Sequence, residues 1–164
     1  MKILIDILIV AVIASTTVFL YRTYQEPIMD YLFDGNTIGI HVRDIPLSVR
    51  VADTNEERQQ GLSGVESMDE EAGMIFIFDT EGDYLFWMKD MLIPIDILWI
   101  NNNLEVVHIE KNVKPDSFPL RYGSPAPARF VLETNAFFAE TFDINVGDKI
   151  NFPSNRLPLD LRPE

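Results

Sequence analysis

Between Tyr84 and Ile100 the chain reads YLFWMKDMLIPIDILWI, and only Lys89, Asp90 and Asp96 interrupt its apolar positions and Pro94. Proline has no amide hydrogen to donate and breaks a helix here. Asp79-Thr80-Glu81-Gly82-Asp83 before the run and Asn101-Asn102-Asn103 after it are turn clusters. The pattern therefore predicts two strands, Leu85 to Met88 and Ile95 to Ile100. The asparagines then turn the chain into a return strand, Leu104 to Glu110, in which Val107 and Ile109 share a face opposite His108 and Glu110.

Upstream the period is two. Ile38, Ile40 and Val42 alternate with Gly39, His41 and Arg43, and Leu47, Val49 and Val51 alternate with Ser48 and Arg50, as half-buried strands do. Pro46 places an edge or a turn between them. Thr54-Asn55-Glu56-Glu57 has capping-box spacing, and Gly61 is a natural stop, so a short helix is expected between them. Asp69-Glu70-Glu71 reads as loop. Gly73 to Phe78, GMIFIF, is apolar on both faces and predicts a central strand.

Lys111 to Ala128 carries Pro115, Pro119, Pro125 and Pro127 without a period. It predicts a long loop, too long to lie idle in a compact domain unless packed or functional. Phe130 to Thr134 is a further strand. Asn135 is placed to cap a short helix over Ala136 to Phe142, and Gly147-Asp148 turns into a last strand, Lys149 to Phe152. The fold expected is mainly β, a single β-sandwich or jelly-roll-like domain over residues 38–152 with two short helices. A linker or edge segment, 25–37, precedes it, and a poorly ordered proline-bearing tail, 153–164, follows.

Ile3 to Tyr21 is apolar except for Asp6 and three hydroxyl side chains. At ~1.5 Å per residue it spans roughly 28 Å, close to a bilayer core. A cleaved signal is the rival reading, but its apolar core is usually shorter and ends before the cut. Residues 1–24 are thus expected to form an uncleaved transmembrane anchor. A single-pass protein of the cell membrane follows, with its β domain on the extracytoplasmic side. Lys2 and Arg22 nearly balance, so the positive-inside rule adds little to the orientation.

The 164 residues include no cysteine, which excludes disulfides, thiol catalysis and cysteine metal sites. The net charge is −13, and residues 25–164 hold 25 of the 26 acidic and 11 of the 13 basic side chains. Such a surface repels nucleic acid and lacks a basic patch for phosphate. Nucleophile elbows, phosphate loops and calcium loops are absent from the sequence. His41 and His108 fall on the polar phase of their strands, as surface histidines do. No metal or cofactor is expected.

Asp96 is the most informative polar residue. Ile95, Ile97 and Trp99 take one face of its strand, and Leu98 and Ile100 share its own, so it is expected to be buried. A buried carboxylate needs a cation, backbone amides or a proton. Lys89, Arg58 and Arg129 are the candidate cations. One reading is an ion pair that pins the Pro94 bend. The other is the polar floor of an apolar pocket, where a carboxylate and an ammonium orient a ligand. Glu133, alternating with Val131 and Arg129, is a second candidate for such a pocket or for a structural pair. Tyr84, Phe86, Trp87 and Trp99 could stack on a sugar, although strand aromatics are more often core.

Several segments together resemble the domain of unknown function 192 family. They are Glu57-Arg58-Gln59-Gln60-Gly61-Leu62, Gly73-Met74-Ile75-Phe76-Ile77-Phe78, Phe86-Trp87-Met88-Lys89, Ile93-Pro94-Ile95-Asp96, Pro127-Ala128-Arg129-Phe130-Val131-Leu132-Glu133 and Gly147-Asp148. The family usually has Asn-Thr where this chain has Asp90-Met91, and often Met where Ser63 stands. The resemblance implies a mainly β, jelly-roll-like domain behind a signal or anchor, and no established activity. With the residue pattern it directs attention to Arg58, Trp87, Lys89, Asp96 and Glu133 as a candidate ligand pocket.

The leading functional expectation is a non-enzymatic binding module for a small molecule, a glycan or an envelope protein. A hydrolase using Asp96 or Glu133 as base with Lys89 or Arg58 as stabiliser is one alternative, and a purely structural domain is another.

Overall fold

The computed structural model describes residues 36–153. They form a mainly β domain with two short helices. In chain order these are β1 (Thr37–Val42), β2 (Ile45–Ala52), α1 (Asn55–Gln60), β3 (Ala72–Gly82), β4 (Phe86–Trp87), β5 (Ile95–Ile100), β6 (Val106–Val113), β7 (Arg121–Tyr122), β8 (Ala128–Asn135), α2 (Phe138–Thr141) and β9 (Ile150–Asn151). A single 3-10 turn, Pro115–Ser117, lies between β6 and β7.

Seven strands make one sheet in the order β6-β5-β8-β3-β2-β1-β9, and β4 with β7 makes a separate two-stranded ribbon. The large sheet curls until its outer strands meet. Val106 donates to Asp148 O at 2.8 Å and Ile150 donates to Leu104 O at 2.8 Å, beside a bridge from Glu105 to Lys149. The architecture is thus one sheet curled on itself, the roll of the two forms expected and not a sandwich of two packed sheets. Alternation specifies which face of a strand is buried, and it serves a curled sheet and a sandwich equally.

The curl has two apolar layers. Its inside holds Ile38, Ile40, Val49, Ile75, Leu98, Ile100, Phe130 and Leu132, plugged by Phe138, Ala139 and Ile144. On the outer face of β3, β8 and β5, Met74, Phe76, Ile97, Trp99 and Val131 are covered by Leu62, Val65, Met88 and Met91. All six residues of β5 are buried, because both of its faces are covered. β3 lies between β2 and β8, as GMIFIF predicts. Pro46 falls in β2, at the end where β1 is its neighbour and before the pairing with β3 begins at Ser48. There the missing amide hydrogen breaks no ladder bond.

The capping box forms as its spacing predicts. Thr54 Oγ1 accepts from the Glu57 amide at 3.2 Å, and Glu57 Oε2 accepts from the Thr54 amide at 3.0 Å. Gly61 ends α1 at φ 50°, a left-handed value that favours glycine. The second helix departs from its expectation. It covers only Phe138–Thr141, has no side-chain cap, and follows Phe137 at φ 70°. Asn135 instead donates to Asp69 O at 2.7 Å and to Met68 O at 3.3 Å, tying β8 to the loop before β3.

The stretch Lys111–Ala128, expected to be loop, supplies the end of β6 and all of β7. Phe86 pairs with Tyr122 and Trp87 with Arg121. The expected anchor at Ile3–Tyr21 and the tail beyond Pro153 lie outside the described residues. Among the described residues no helix is long and apolar enough to cross a membrane.

Candidate functional site

Asp96 is fully buried, as its apolar strand requires, and backbone amides satisfy its oxygens. Its Oδ1 accepts from the amides of Asn112 at 2.7 Å and Phe137 at 3.1 Å, and Oδ2 accepts from that of Ala139 at 2.8 Å. Three charge-assisted hydrogen bonds satisfy the carboxylate without a cation. They include donors at the start of α2, which has no side-chain cap of its own. Asp96 thus takes the place Asn135 was expected to fill, reaching in from β5.

The proposed cations lie elsewhere. Arg58 Nη1 donates to Asp53 O at 2.6 Å and Ile77 O at 2.8 Å, and its Nη2 donates to Asn55 Oδ1 at 2.8 Å. Arg129 donates to Phe78 O at 3.1 Å and Asn102 Oδ1 at 3.2 Å. Lys89 is exposed, with Asp90 at 4.0 Å.

A cavity of about 280 Å³ opens on the outer face of the sheet, between α1 with its following turn and the segment Tyr84–Met91. Arg58, Trp87, Lys89 and Glu133 all line it. Asp96 does not. Ile97 is the cross-strand partner of Glu133 and Asp96 that of Thr134, so Asp96 and Glu133 face opposite sides of the sheet. The placement of Asp96 at a pocket floor is corrected accordingly; of the two bases named for the hydrolase alternative, Glu133 lines the cavity with Arg58 and Lys89 and Asp96 does not.

Aromatic rings build the walls. Tyr84 stacks on Phe78 with centroids 3.5 Å apart at 8°, and the Arg58 guanidinium lies 5.2 Å from the Phe78 centroid. Phe86 meets Phe76 edge-on at 4.8 Å and Trp99 at 6.0 Å. Trp99 is core, fully buried, and its indole donates to Tyr84 O at 3.0 Å. Trp87 is 45% exposed, with the Arg121 guanidinium 5.3 Å from its ring. Ser63 Oγ donates to Lys89 O at 3.0 Å and the Gly64 amide to Asp90 O at 2.8 Å, joining the two sides of the mouth. Asp90 sits at φ 56°, where Asn and Asp are tolerated better than most side chains.

Glu133 forms the polar part of the inner wall. It is 4% exposed, and its Oε2 has no hydrogen-bond partner. Burial pushes its carboxyl up to about 8, against a smaller downward pull from Arg50. The two belong to one row across the sheet, since Arg50 pairs with Met74 and Met74 with Glu133. Arg50 Nη2 donates to Gly61 O at 2.6 Å and lies 3.2 Å from Met74 Sδ. Sequence reading gave Arg50 only a polar strand phase. Its link to Glu133 appears once the parallel β2–β3 register is known.

A protein of unknown function from Novosphingobium aromaticivorans DSM 12444 is similar in structure, with a TM-score of 0.68 and 27% identity, over 71% of this chain and 85% of that one. A Sinorhizobium meliloti 1021 protein, provisionally named a transcription regulator, gives 0.66 and 27% over 71% of this chain and 92% of that one. No curated protein matches the chain. The family DUF192, described as "Uncharacterized ACR", matches residues 38–152, all but the first residue of the curled sheet, and the chain belongs to that family.

Proposed function

We propose that this protein is a binding module whose ligand is a small molecule, or one ring of a larger one such as a glycan, held in the cavity beneath α1. The observation that carries the reading is Glu133 Oε2, a buried acceptor without a partner on the wall of an aromatic-lined cavity. Leaving such a group unsatisfied costs about 1–3 kcal/mol, a deficit that a bound donor removes. A mainly apolar concavity with a few convergent polar groups is the usual form of a small-molecule site. In the same reading the run Ile3–Tyr21 anchors the module in a membrane, with the β domain on the extracytoplasmic side. That part rests on the length and composition of the run.

The test is a thermal-shift panel of sugars and small ring compounds on the full chain in detergent. At least one chemical class should raise the melting temperature saturably, and Glu133→Ala should abolish the increment. Flat responses across the panel would overturn the reading.

A further inference from the structure

The cavity also restricts which group of a ligand can reach its inner wall. The cross-strand neighbours of Glu133, Met74 on β3 and Ile97 on β5, are fully buried side chains. A carboxylate there, or a ligand charge set against it, is held in a low-dielectric surround. Arg50, the cation on the same row, already serves Gly61 O and lies against Met74 Sδ. Two cations line the cavity, Arg58 beside Phe78 and the exposed Lys89 with Asp90 at 4.0 Å. A cationic ligand group would meet both of them. An anionic group is suited to the mouth, but on the inner wall it would confront a second acid.

Resting on the binding reading above, we propose that the ligand's innermost group is uncharged, an amide or hydroxyl that exchanges hydrogen bonds with Glu133. Its ring lies against Phe76, Phe78 and Phe86, and any acidic substituent stays at the mouth beside Lys89. The elevated carboxyl of Glu133 agrees with this assignment, because a protonated acid both gives and accepts a hydrogen bond. The rings set the body of the ligand, since offset and edge-on contacts among aromatics favour a planar occupant.

Four probes share one ring and differ only in the head: benzamide, benzyl alcohol, benzylammonium and benzoate. Each is titrated into the full chain in detergent, well below pH 8, while the methyl resonances of Met74 and Met91 are followed by NMR. Benzamide and benzyl alcohol should bind at least about tenfold more tightly than the two ions. Glu133→Gln, which keeps a neutral donor and acceptor, should hold benzamide within about threefold, while Glu133→Leu should lose at least about tenfold. Tighter binding of benzylammonium or benzoate would overturn the uncharged head and leave the binding reading standing. Saturable binding of no probe would overturn this proposal, while the binding reading stands or falls on the sugar and ring-compound panel.

Discussion

Asp96 on β5 and Glu133 on β8 lie one register step apart on neighbouring strands and face opposite sides of one sheet. On one side three amides satisfy the Asp96 carboxylate. On the other a carboxyl oxygen of Glu133 has no partner. The contrast separates an acid held by the backbone from one that faces a cavity, and the two should respond differently to the same neutralising substitution.

Asp96→Asn should destabilise the domain by about 3–5 kcal/mol, because one acceptor becomes a donor aimed at backbone amides and the charge that three of them solvate is lost. Chemical denaturation at neutral pH measures it. A loss below about 1 kcal/mol would show that the amides find other acceptors.

Glu133→Gln should do the opposite at neutral and alkaline pH. The carboxyl stands at about 8 in the folded chain against an ordinary 4.5, so the folded state holds the proton longer. The stability linked to this group is whole below about 4.5, falls as pH rises toward about 8, and then levels off. The slope in that window is roughly 1.4 kcal/mol per pH unit. Denaturation midpoints for wild type should decline across it, and those of the Gln variant should stay flatter. Parallel profiles would contradict the assignment.

Arg58→Lys should cost about 1–3 kcal/mol, since one ammonium cannot span Asp53 O, Ile77 O and the Asn55 side chain as a fork does. The loosening should centre on α1 and the turn after it. Hydrogen exchange should therefore rise at the Gly61 and Ser63 amides and stay unchanged at those of β5.

The two tryptophans offer a fluorescence readout. Trp87 is 45% exposed and Trp99 fully buried. Acrylamide should quench only part of the emission, and Trp87→Phe should remove that part while leaving the melting temperature within about 2 °C. Complete quenching in the variant would mean that Trp99 is reached as well.

Much of this fold is legible in the chain because the cues are local. The Thr54–Glu57 box, the stop at Gly61 and the doubly apolar strands Gly73–Phe78 and Ile95–Ile100 each follow from a few adjacent residues. The site is legible only in part. Polar residues within apolar runs draw attention to Lys89, Asp96 and Glu133, but period-two patterning cannot say whether residues on different strands share a face. That depends on register, which couples Asp96 to Thr134 and sends it inward. The partnership of Arg50 with Glu133 needs the crossover that sets β2 parallel to β3. The ribbon of β4 and β7 needs a pairing across about thirty-five residues of chain, which no local pattern encodes.

β1, the first strand, and β9, the last, are hydrogen-bonded neighbours, with His41 opposite Asn151. Whatever is attached before Asn36 or after Pro153 therefore reaches the domain through one seam. A pull along the chain from either side is borne first by that seam, while β3, β8 and the chamber beneath α1 lie away from the line of force. Parting the first strand from the last would therefore open the curled sheet at β1 and β9 before it reached β3 and β8.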